Sequence, residues 1–259
     1  MQTELAIIVY SCERNSKMWN VVMYFFKKYW YDCPCPIVLL TDTDREGQGL
    51  KAGFDLVVEK DSTWAEMMEA ALDQTGASYF MTWMDDFLLC DRVDNQKFEE
   101  CFRKAKELKA AFYKLCPANY TQLIPYDGST AKIKKGSAYS VSTHAGIWET
   151  ESFRAFLRKE WSAWDFERIG SLESEKISKG MYASLDYHIP YIEGIRKGKW
   201  FPEGVRLLKE NGMSVKDTGK EEMAWKDRFI VQAKAVILSM NPNLVLRVQN
   251  RVNERKAGK

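Results

Sequence analysis

The chain is poor in the residue types that build zinc centres and disulfide scaffolds. Its 259 residues include two histidines, and none of its six cysteines forms a Cys-x-x-Cys pair. Cys33-Pro34-Cys35 is too short a spacing for a usual zinc knuckle. A structural zinc site is therefore not expected. The simplest expectation is reduced thiols in a cytoplasmic protein.

Long apolar runs and a large charge excess are also missing. No apolar run is long enough to span a bilayer, and residues 1–4 lack the basic and apolar regions of a signal peptide. The 38 basic and 36 acidic side chains leave a net charge of +2. That excess is too small for broad nucleic-acid wrapping, so no nucleic-acid partner is expected. We also find no internal repeat, low-complexity segment or clear linker.

The first 90 residues alternate between buried-strand and helical patterns. Predicted strands cover residues 5–10, 37–40, 54–58 and 79–89, and predicted helices cover residues 18–30 and 64–72. Such alternation is typical of a parallel sheet with helices on both faces. We therefore predict an α/β fold.

Polar side chains recur where these predicted strands end. The run at residues 79–89 contains two adjacent acids, Asp85 and Asp86, while Tyr10-Ser11 and Asp42 end two other strands. The carboxyl ends of parallel strands share one edge of a sheet, where ligands bind. Two neighbouring carboxylates suit a hard divalent cation that stays open to phosphates. The alternative is an acidic turn that merely ends a strand.

Further elements are predicted downstream. Asp94 is expected to cap an amphipathic helix over residues 96–115, with Phe112 on its apolar stripe. Residues 120–125 and 139–142 are predicted strands, separated by a basic loop or hairpin at residues 127–136.

The C-terminal region is predicted to be helical. A helical pattern covers residues 221–240, and a basic amphipathic pattern follows in the tail. The tail places Leu244, Val245, Leu246, Val248 and Val252 against Arg247, Arg251, Arg255 and Lys256. Such a helix either lies on anionic lipid or packs on the protein's own core, and we slightly favour the core.

Four stretches of this chain resemble bacterial GT-A type glycosyltransferases of capsular and other surface polysaccharide biosynthesis. They are residues 10–42, residues 64–88 with Trp83-Met84-Asp85-Asp86-Phe87-Leu88, residues 144–171 with His144-Ala145-Gly146-Ile147-Trp148, and Ile195-Arg196-Lys197-Gly198-Lys199-Trp200. Their order and spacing carry the resemblance, which extends from residue 5 to about residue 205.

The resemblance implies a GT-A-like, Rossmann-like sheet that is mixed but mostly parallel and flanked by helices. It implies a nucleotide-binding and catalytic domain over residues 1–205, with residues 206–259 as a helical extension packed on it. The implied donor is a nucleotide-diphosphate sugar, with a UDP-sugar favoured, assisted by Mn²⁺ or Mg²⁺. The implied acceptor is a glycan or lipid-linked glycan, which would give the basic tail a peripheral role at the inner face of the plasma membrane.

The same resemblance suggests roles on the donor side. Asp86 would hold the metal, and Asp85 would contact the ribose or a metal-bound water. The usual motif separates its two acids by one residue, whereas these are adjacent, so that division stays open. Asp42 would accept a hydrogen bond from the nucleobase or the ribose, and Tyr10 and Ser11 would line the nucleotide cleft.

Further candidates have alternatives. Glu167 is the expected general base, since aromatic surroundings can raise the pKa of a carboxylate. A base on the acceptor side implies inversion at the anomeric carbon. Asp165 is the second choice, or only the acid of a helix start after Ser162. Trp64 lies near the donor or in the core, and His144 touches a donor phosphate or the metal or is structural.

Two other classes compete with the transferase. A nucleotidyltransferase or hydrolase would usually carry a Gly-rich phosphate loop after its first strand, and residues 11–15 contain no glycine. A non-catalytic nucleotide- or sugar-binding module is the third hypothesis.

Overall fold

The computed structural model describes residues 3–118 and 120–257. Its strands are β1 (Leu5–Tyr10), β2 (Ile37–Thr41), β3 (Leu56–Glu59), β4 (Tyr79–Met84), β5 (Phe87–Leu89), β6 (Phe112–Lys114), β7 (Leu123–Pro125), β8 (Thr130–Ile133), β9 (Gly146–Glu149), β10 (Met181–Ser184), β11 (Tyr191–Glu193), β12 (Ile195–Arg196) and β13 (Lys199–Trp200). Its α-helices are α1 (Ser16–Tyr29), α2 (Gln48–Ala52), α3 (Trp64–Thr75), α4 (Asn95–Glu107), α5 (Thr150–Phe156), α6 (Ala163–Glu173), α7 (Pro202–Glu210), α8 (Trp225–Met240) and α9 (Pro242–Ala257).

The central sheet has nine strands in the order β3-β2-β1-β4-β9-β6-β10-β8-β7. The first four are parallel, with Ile8 paired to both Val38 and Thr82. β9 runs antiparallel to both β4 and β6, and β8 runs antiparallel to both β10 and β7. Because β6 and β10 are parallel, seven of these nine strands point one way. The predicted α/β class, with a mixed, mostly parallel sheet flanked by helices, is confirmed.

Both faces of the sheet are buried, as continuous apolar strands require. Along β1, Ile7 and Val9 join the core under α1 and α4, while Ile8 joins the core under α3, α5 and α6. Thr63 caps α3 by accepting from the Glu66 amide. This packing fixes the direction of β1, β2 and β4, and therefore the edge at which their carboxyl ends meet.

The predicted strand at residues 79–89 is two strands. β4 ends at Met84, Asp85 and Asp86 form the turn, and β5 leaves the central sheet to pair with β11. The turn is tied down by the Gly194 amide, which donates to the Asp86 carbonyl at 2.8 Å. Gly194 itself packs so closely on α7 that a Cβ on Gly204 would lie 2.8 Å from its carbonyl oxygen. Asp85 and Asp86 thus lie on a turn whose backbone is fixed by contact with Gly194.

Two downstream predictions were wrong. The helix capped by Asp94 ends at Glu107, and Phe112 begins β6 instead of extending the apolar stripe. Residues 139–142 form no strand, whereas the basic stretch at 127–136 contains β8, which forms a hairpin with β7. A positive φ of 47° at Lys109 turns the chain after α4 and lets β6 enter the sheet.

The C-terminal helices α8 and α9 follow α7. Leu246 is buried, while Leu244 and Val248 are exposed. The tail side chains at positions 251, 252, 255 and 256 lie outside the described residues. In the described part of the chain, no single helix is long and apolar enough to cross a membrane. The consecutive segments Trp225–Met240 and Pro242–Val248 reach that length and apolarity only together, and they meet at 113°.

A candidate active-site cleft

A cleft of about 700 Å³ opens at the carboxyl edge of the parallel strands. Six of the nine predicted site residues line it, and they come from β1, α3, the β4–β5 turn and α6. They are Tyr10, Ser11, Trp64, Asp85, Asp86 and Glu167. The structure therefore brings together side chains that lie up to 157 residues apart in sequence.

Asp85 is buried, and one of its carboxylate oxygens accepts two hydrogen bonds. Its Oδ2 accepts from Ser11 Oγ at 2.5 Å and from Asn15 Nδ2 at 3.0 Å, and Trp19 Nε1 donates to Ser11 Oγ at 2.8 Å. Burial raises the pKa of Asp85, and the two hydrogen bonds oppose that rise. Asp85 therefore links the β4–β5 turn to the corner after β1.

Asp86 differs from its neighbour. Its Oδ1 is buried and has no hydrogen-bond partner among the described residues. Burial, followed by the negative charges of Asp85 and Glu193, raises the pKa of Asp86 to about 8. A buried carboxylate oxygen without a partner is costly, so this position favours either a proton or a cation.

Lys220 reaches the same site from a distant part of the chain, and the sequence patterns did not point to it. Its Nζ donates to Asn15 Oδ1 at 2.7 Å, and its charge favours the ionised forms of Asp85 and Asp86. Buried Trp200 holds the Lys220 segment: its amide donates to the Glu221 carbonyl, and its Nε1 donates to Thr218 Oγ1. Arg14 and Lys197 also line the cleft.

Glu167 enters the cleft from α6. Its Oε1 accepts from the Thr143 amide at 2.7 Å and from Thr143 Oγ1 at 2.8 Å, with Ser142 Oγ at 3.4 Å. All of these described hydrogen bonds go to one oxygen, so Oε2 is the one left for a ligand. Trp164, 74% exposed at the start of the same helix, also lines the cleft.

Asp42, Asp165 and Trp64 have clear structural uses. Asp42 Oδ1 accepts from the amides of Glu13 and Thr43; burial raises its pKa, but these hydrogen bonds outweigh burial and lower it. Asp165 completes a capping box with Ser162 at the start of α6. Trp64 packs against Phe153 and Phe166 while also lining the cleft. It is therefore both core and cleft wall.

His144 lines a second cavity of about 440 Å³. Four tyrosines share that lining, so we call it the tyrosine cavity: Tyr120, Tyr139, Tyr187 and Tyr191. His144 Nδ1 lies 3.1 Å from the Tyr191 hydroxyl oxygen, and its ring packs against Phe87. Burial lowers the pKa of His144. Its neutral imidazole thus belongs to this cavity wall.

The donor set of the cleft fits a hard cation that completes its coordination with substrate oxygens. In the described part of the chain, no group of three His, Cys, Asp or Glu side chains is arranged to hold a metal. Mg²⁺ and similar ions are commonly held by one or two carboxylates together with phosphates. The partnerless Asp86 oxygen beside Asp85 meets that requirement.

No protein-family model and no curated protein sequence matches this chain. Among solved structures, it is similar to the mannosyltransferase PcManGT from Pyrobaculum calidifontis in complex with GDP-Man and Mn²⁺, with 10% identity, a TM-score of 0.51, and coverage of 76% of this chain and 59% of that one. It is also similar to S. aureus TarS 1–349 in complex with UDP, with 15% identity, a TM-score of 0.47, and coverage of 73% and 59%. A cytidylyltransferase from Leptospira borgpetersenii matches at 11% identity and a TM-score of 0.44, with coverage of 81% and 95%. The mannosyltransferase match indicates a shared fold, and at that identity it indicates no shared substrate.

Proposed function

We propose that this chain is a metal-assisted glycosyltransferase. It would move a sugar from a nucleotide-diphosphate donor, with a UDP-sugar favoured, to a sugar hydroxyl of a surface glycan precursor. The observation that carries the proposal is the buried Asp86 oxygen beside Asp85, which has no hydrogen-bond partner among the described residues and lies in the same cleft as the hydrogen-bonded Glu167. The fold adds the edge at which nucleotides bind in open α/β sheets.

On the donor side, Asp86 would hold Mn²⁺ or Mg²⁺, which supplies positive charge against the leaving diphosphate. Asp85 would keep the Ser11 corner in place and contact the ribose or a metal-bound water. The cleft also presents Lys197 and Lys220, whose charges suit diphosphate oxygens. Asp42, held by the amides of Glu13 and Thr43, would face the base or ribose.

On the acceptor side, Glu167 is the proposed general base. Thr143 fixes its Oε1, which leaves Oε2 to take the proton of the attacking hydroxyl. The hydroxyl oxygen forms a bond to the anomeric carbon as the bond from that carbon to the diphosphate oxygen breaks. Attack from the face opposite the leaving group inverts the anomeric configuration. NMR of the product would contradict the assignment if the donor configuration were retained.

A thermal-shift panel tests the donor half directly. UDP, GDP, CDP and ADP are each added with and without Mn²⁺, and we expect a diphosphate of one base to raise the melting temperature only when the metal is present. Asp86→Asn should abolish that shift, whereas Asp61→Asn, at an exposed carboxylate that does not line the cleft, should keep it. If no nucleotide raised the melting temperature in the presence of Mn²⁺, the proposal would be refuted.

The competing classes give different outcomes. A non-catalytic binding module would keep ligand binding and its metal dependence in Asp86→Asn. A nucleotidyltransferase would release pyrophosphate from a nucleoside triphosphate, which a coupled phosphate assay detects. Against that class, the segment after β1 is a short 3-10 turn at Glu13–Asn15 with no glycine.

We also propose that α8 and α9 touch an anionic lipid surface, where a lipid-linked acceptor would be presented at the cytoplasmic face. An exposed apolar stripe on α8 spans an arc of about 60° at 100° per residue. Its residues are Trp225, Phe229, Val236 and Met240, and Met240 is 81% exposed. Lys226, Arg228 and Arg247 lie on the same two helices and match anionic headgroups.

Vesicle co-sedimentation tests this contact. Wild-type protein should bind vesicles of phosphatidylcholine with phosphatidylglycerol and bind pure phosphatidylcholine weakly. The double variant Phe229→Ser, Met240→Ser should lose that binding, and Leu50→Ser, an exposed apolar position on α2, should keep it. Self-association of the wild type through the stripe without vesicle binding would contradict the proposal.

A further inference from the structure

The tyrosine cavity adjoins the candidate active-site cleft, because consecutive residues of two segments line one or the other. Ser142 and His144 line the cavity, while Thr143 between them lines the cleft and bonds Glu167. In the same way, Arg196 lines the cavity while its neighbour Lys197 lines the cleft. The cavity therefore lies directly beside the segment that holds the proposed base, and a volume of about 440 Å³ is typical of a small-molecule site.

A buried lysine lines the cavity. Lys114, on β6, lines it and is only 6% exposed. Within the described residues, its side chain makes no ion pair and no hydrogen bond. A buried charge is costly unless it is paired. The Lys114 side chain is therefore available to pair with an anionic group in the cavity.

The other charged groups of the cavity are already compensated. Arg196 Nε donates to Glu193 Oε2 at 2.8 Å, and the Arg196 guanidinium lies 4.7 Å from the centre of the Phe201 ring. His144, held near the Tyr191 hydroxyl, is a neutral wall. Among the described residues of the lining, Lys114 is therefore the one charged side chain without a charged partner.

The tyrosines supply flat faces of the kind that stack on sugar rings. Tyr120 and Tyr139 pack on each other with centroids 6.2 Å apart, and both hold positive φ angles, 65° and 52°. Bulky residues rarely adopt this conformation, and such strain concentrates at ligand sites. Tyr187, 67% exposed, leaves the mouth of the cavity accessible.

We propose that the tyrosine cavity binds an acidic sugar residue of the acceptor, with its carboxylate or phosphate paired to Lys114 and its ring against the tyrosines. The acceptor role rests on the proposed function. The binding of an anionic sugar does not, because it requires neither nucleotide nor metal.

Ligand-observed NMR titrations test the binding with three probes: methyl glucuronide, glucose 6-phosphate and the neutral methyl glucoside. At low salt, wild-type protein should bind at least one anionic probe about tenfold more tightly than the neutral one, a typical effect of a charge-assisted contact. Preference for the glucuronide alone indicates a uronate-bearing acceptor, and preference for the phosphate alone indicates a phosphorylated one. Equal binding of all three probes would overturn the proposal.

Two variants of Lys114 and one control assign the effect. Lys114→Met should remove the preference, Lys114→Arg should retain most of it, and Lys132→Met, at an exposed position on β8, two strands from β6 in the sheet, should leave it unchanged. Unchanged preference in Lys114→Met would refute the assignment. If Lys114→Met does not fold, the salt dependence of wild-type binding is measured instead. The preference for the anionic probe should decrease as NaCl is raised from about 50 to about 500 mM, and a preference that does not depend on salt would overturn the proposal. The two proposals can fail independently. If the cavity binds anionic sugars but no nucleotide stabilises the protein, this inference stands and the transferase proposal fails.

Discussion

Asp86→Asn should make the metal-free protein more stable at alkaline pH while leaving its stability in acid almost unchanged. In the folded chain the pKa of Asp86 is about 8, whereas the ordinary value is 3.8. Between these values the folded state holds a proton that the unfolded state has released. The free energy of unfolding therefore falls as pH rises through this window and levels off above about pH 8. Asparagine carries no such proton, so the variant lacks this fall.

The size of the effect follows from the shift. A pKa difference from 3.8 to about 8 corresponds to an upper limit of about 6 kcal/mol at ~1.36 kcal/mol per unit. Asp86 is only partly covered and its cleft admits water, so we expect about 2–4 kcal/mol in favour of the variant at pH 8.5. Near pH 4.5, only about 0.7 pH unit above the ordinary value of 3.8, little of this difference has developed, and the two proteins should agree within about 1 kcal/mol.

Urea unfolding followed by tryptophan fluorescence, in EDTA at pH 4.5, 6.5 and 8.5, measures this difference. Asp61→Asn is the matched control and should track the wild type at every pH. Mn²⁺ adds a second measurement, because its binding must displace the Asp86 proton. Apparent affinity should rise up to tenfold per pH unit below pH 8 and stop rising above it. A stability difference between variant and wild type that does not change with pH would refute the reasoning.

Three further predictions follow from the same contacts. Glu167→Gln should lower kcat by about 10²–10⁴-fold with nucleotide affinity unchanged, measured by a product-release assay and by calorimetry; a loss in affinity alone would contradict its role as base. Lys220→Met should weaken Mn²⁺–UDP binding by about tenfold and raise the pH at which Mn²⁺ binds, whereas Lys216→Met, exposed on the same segment, should do neither. Asp94→Ala removes the cap that accepts from the Gln96 and Lys97 amides, and should cost about 1 kcal/mol and about 2–4 °C in melting temperature with no change in nucleotide binding.

The parallel half of the sheet could be predicted because local signals agreed there. β1, β2 and β4 are largely apolar on both faces, and helical patterns with apolar stripes separate the strands. The cluster of Ser11, Asp85 and Asp86 followed from one rule of topology, that parallel strands end at the same edge. These conclusions needed only the order of elements along the chain.

The remaining differences arise where tertiary contacts override local pattern. Phe112 continued the spacing of an apolar helical stripe, but its pairing with Trp148 in β9 makes it a strand residue. By sequence Glu167 was preferred to Asp165, and the structure gives the two side chains different partners: Asp165 completes the capping box, and Glu167 accepts from Thr143. Lys220 lies 205 residues from its partner Asn15, a separation at which spacing carries no information.

The position of Lys220 also bears on where the catalytic unit ends. The resemblance stops near residue 205, and the predicted boundary was placed there, with a helical extension beyond it. Yet the bonds of Trp200 to Glu221 and Thr218, and of the Met223 amide to the Trp200 carbonyl, fix a segment that delivers Lys220 to the acids of the β4–β5 turn. A buried pair of carboxylates gains most from a cation held in place before substrate arrives, because ordering a lysine during binding would cost side-chain entropy. The chain through at least residue 223 therefore belongs with the proposed nucleotide site, and no residue of α8 lines the cleft.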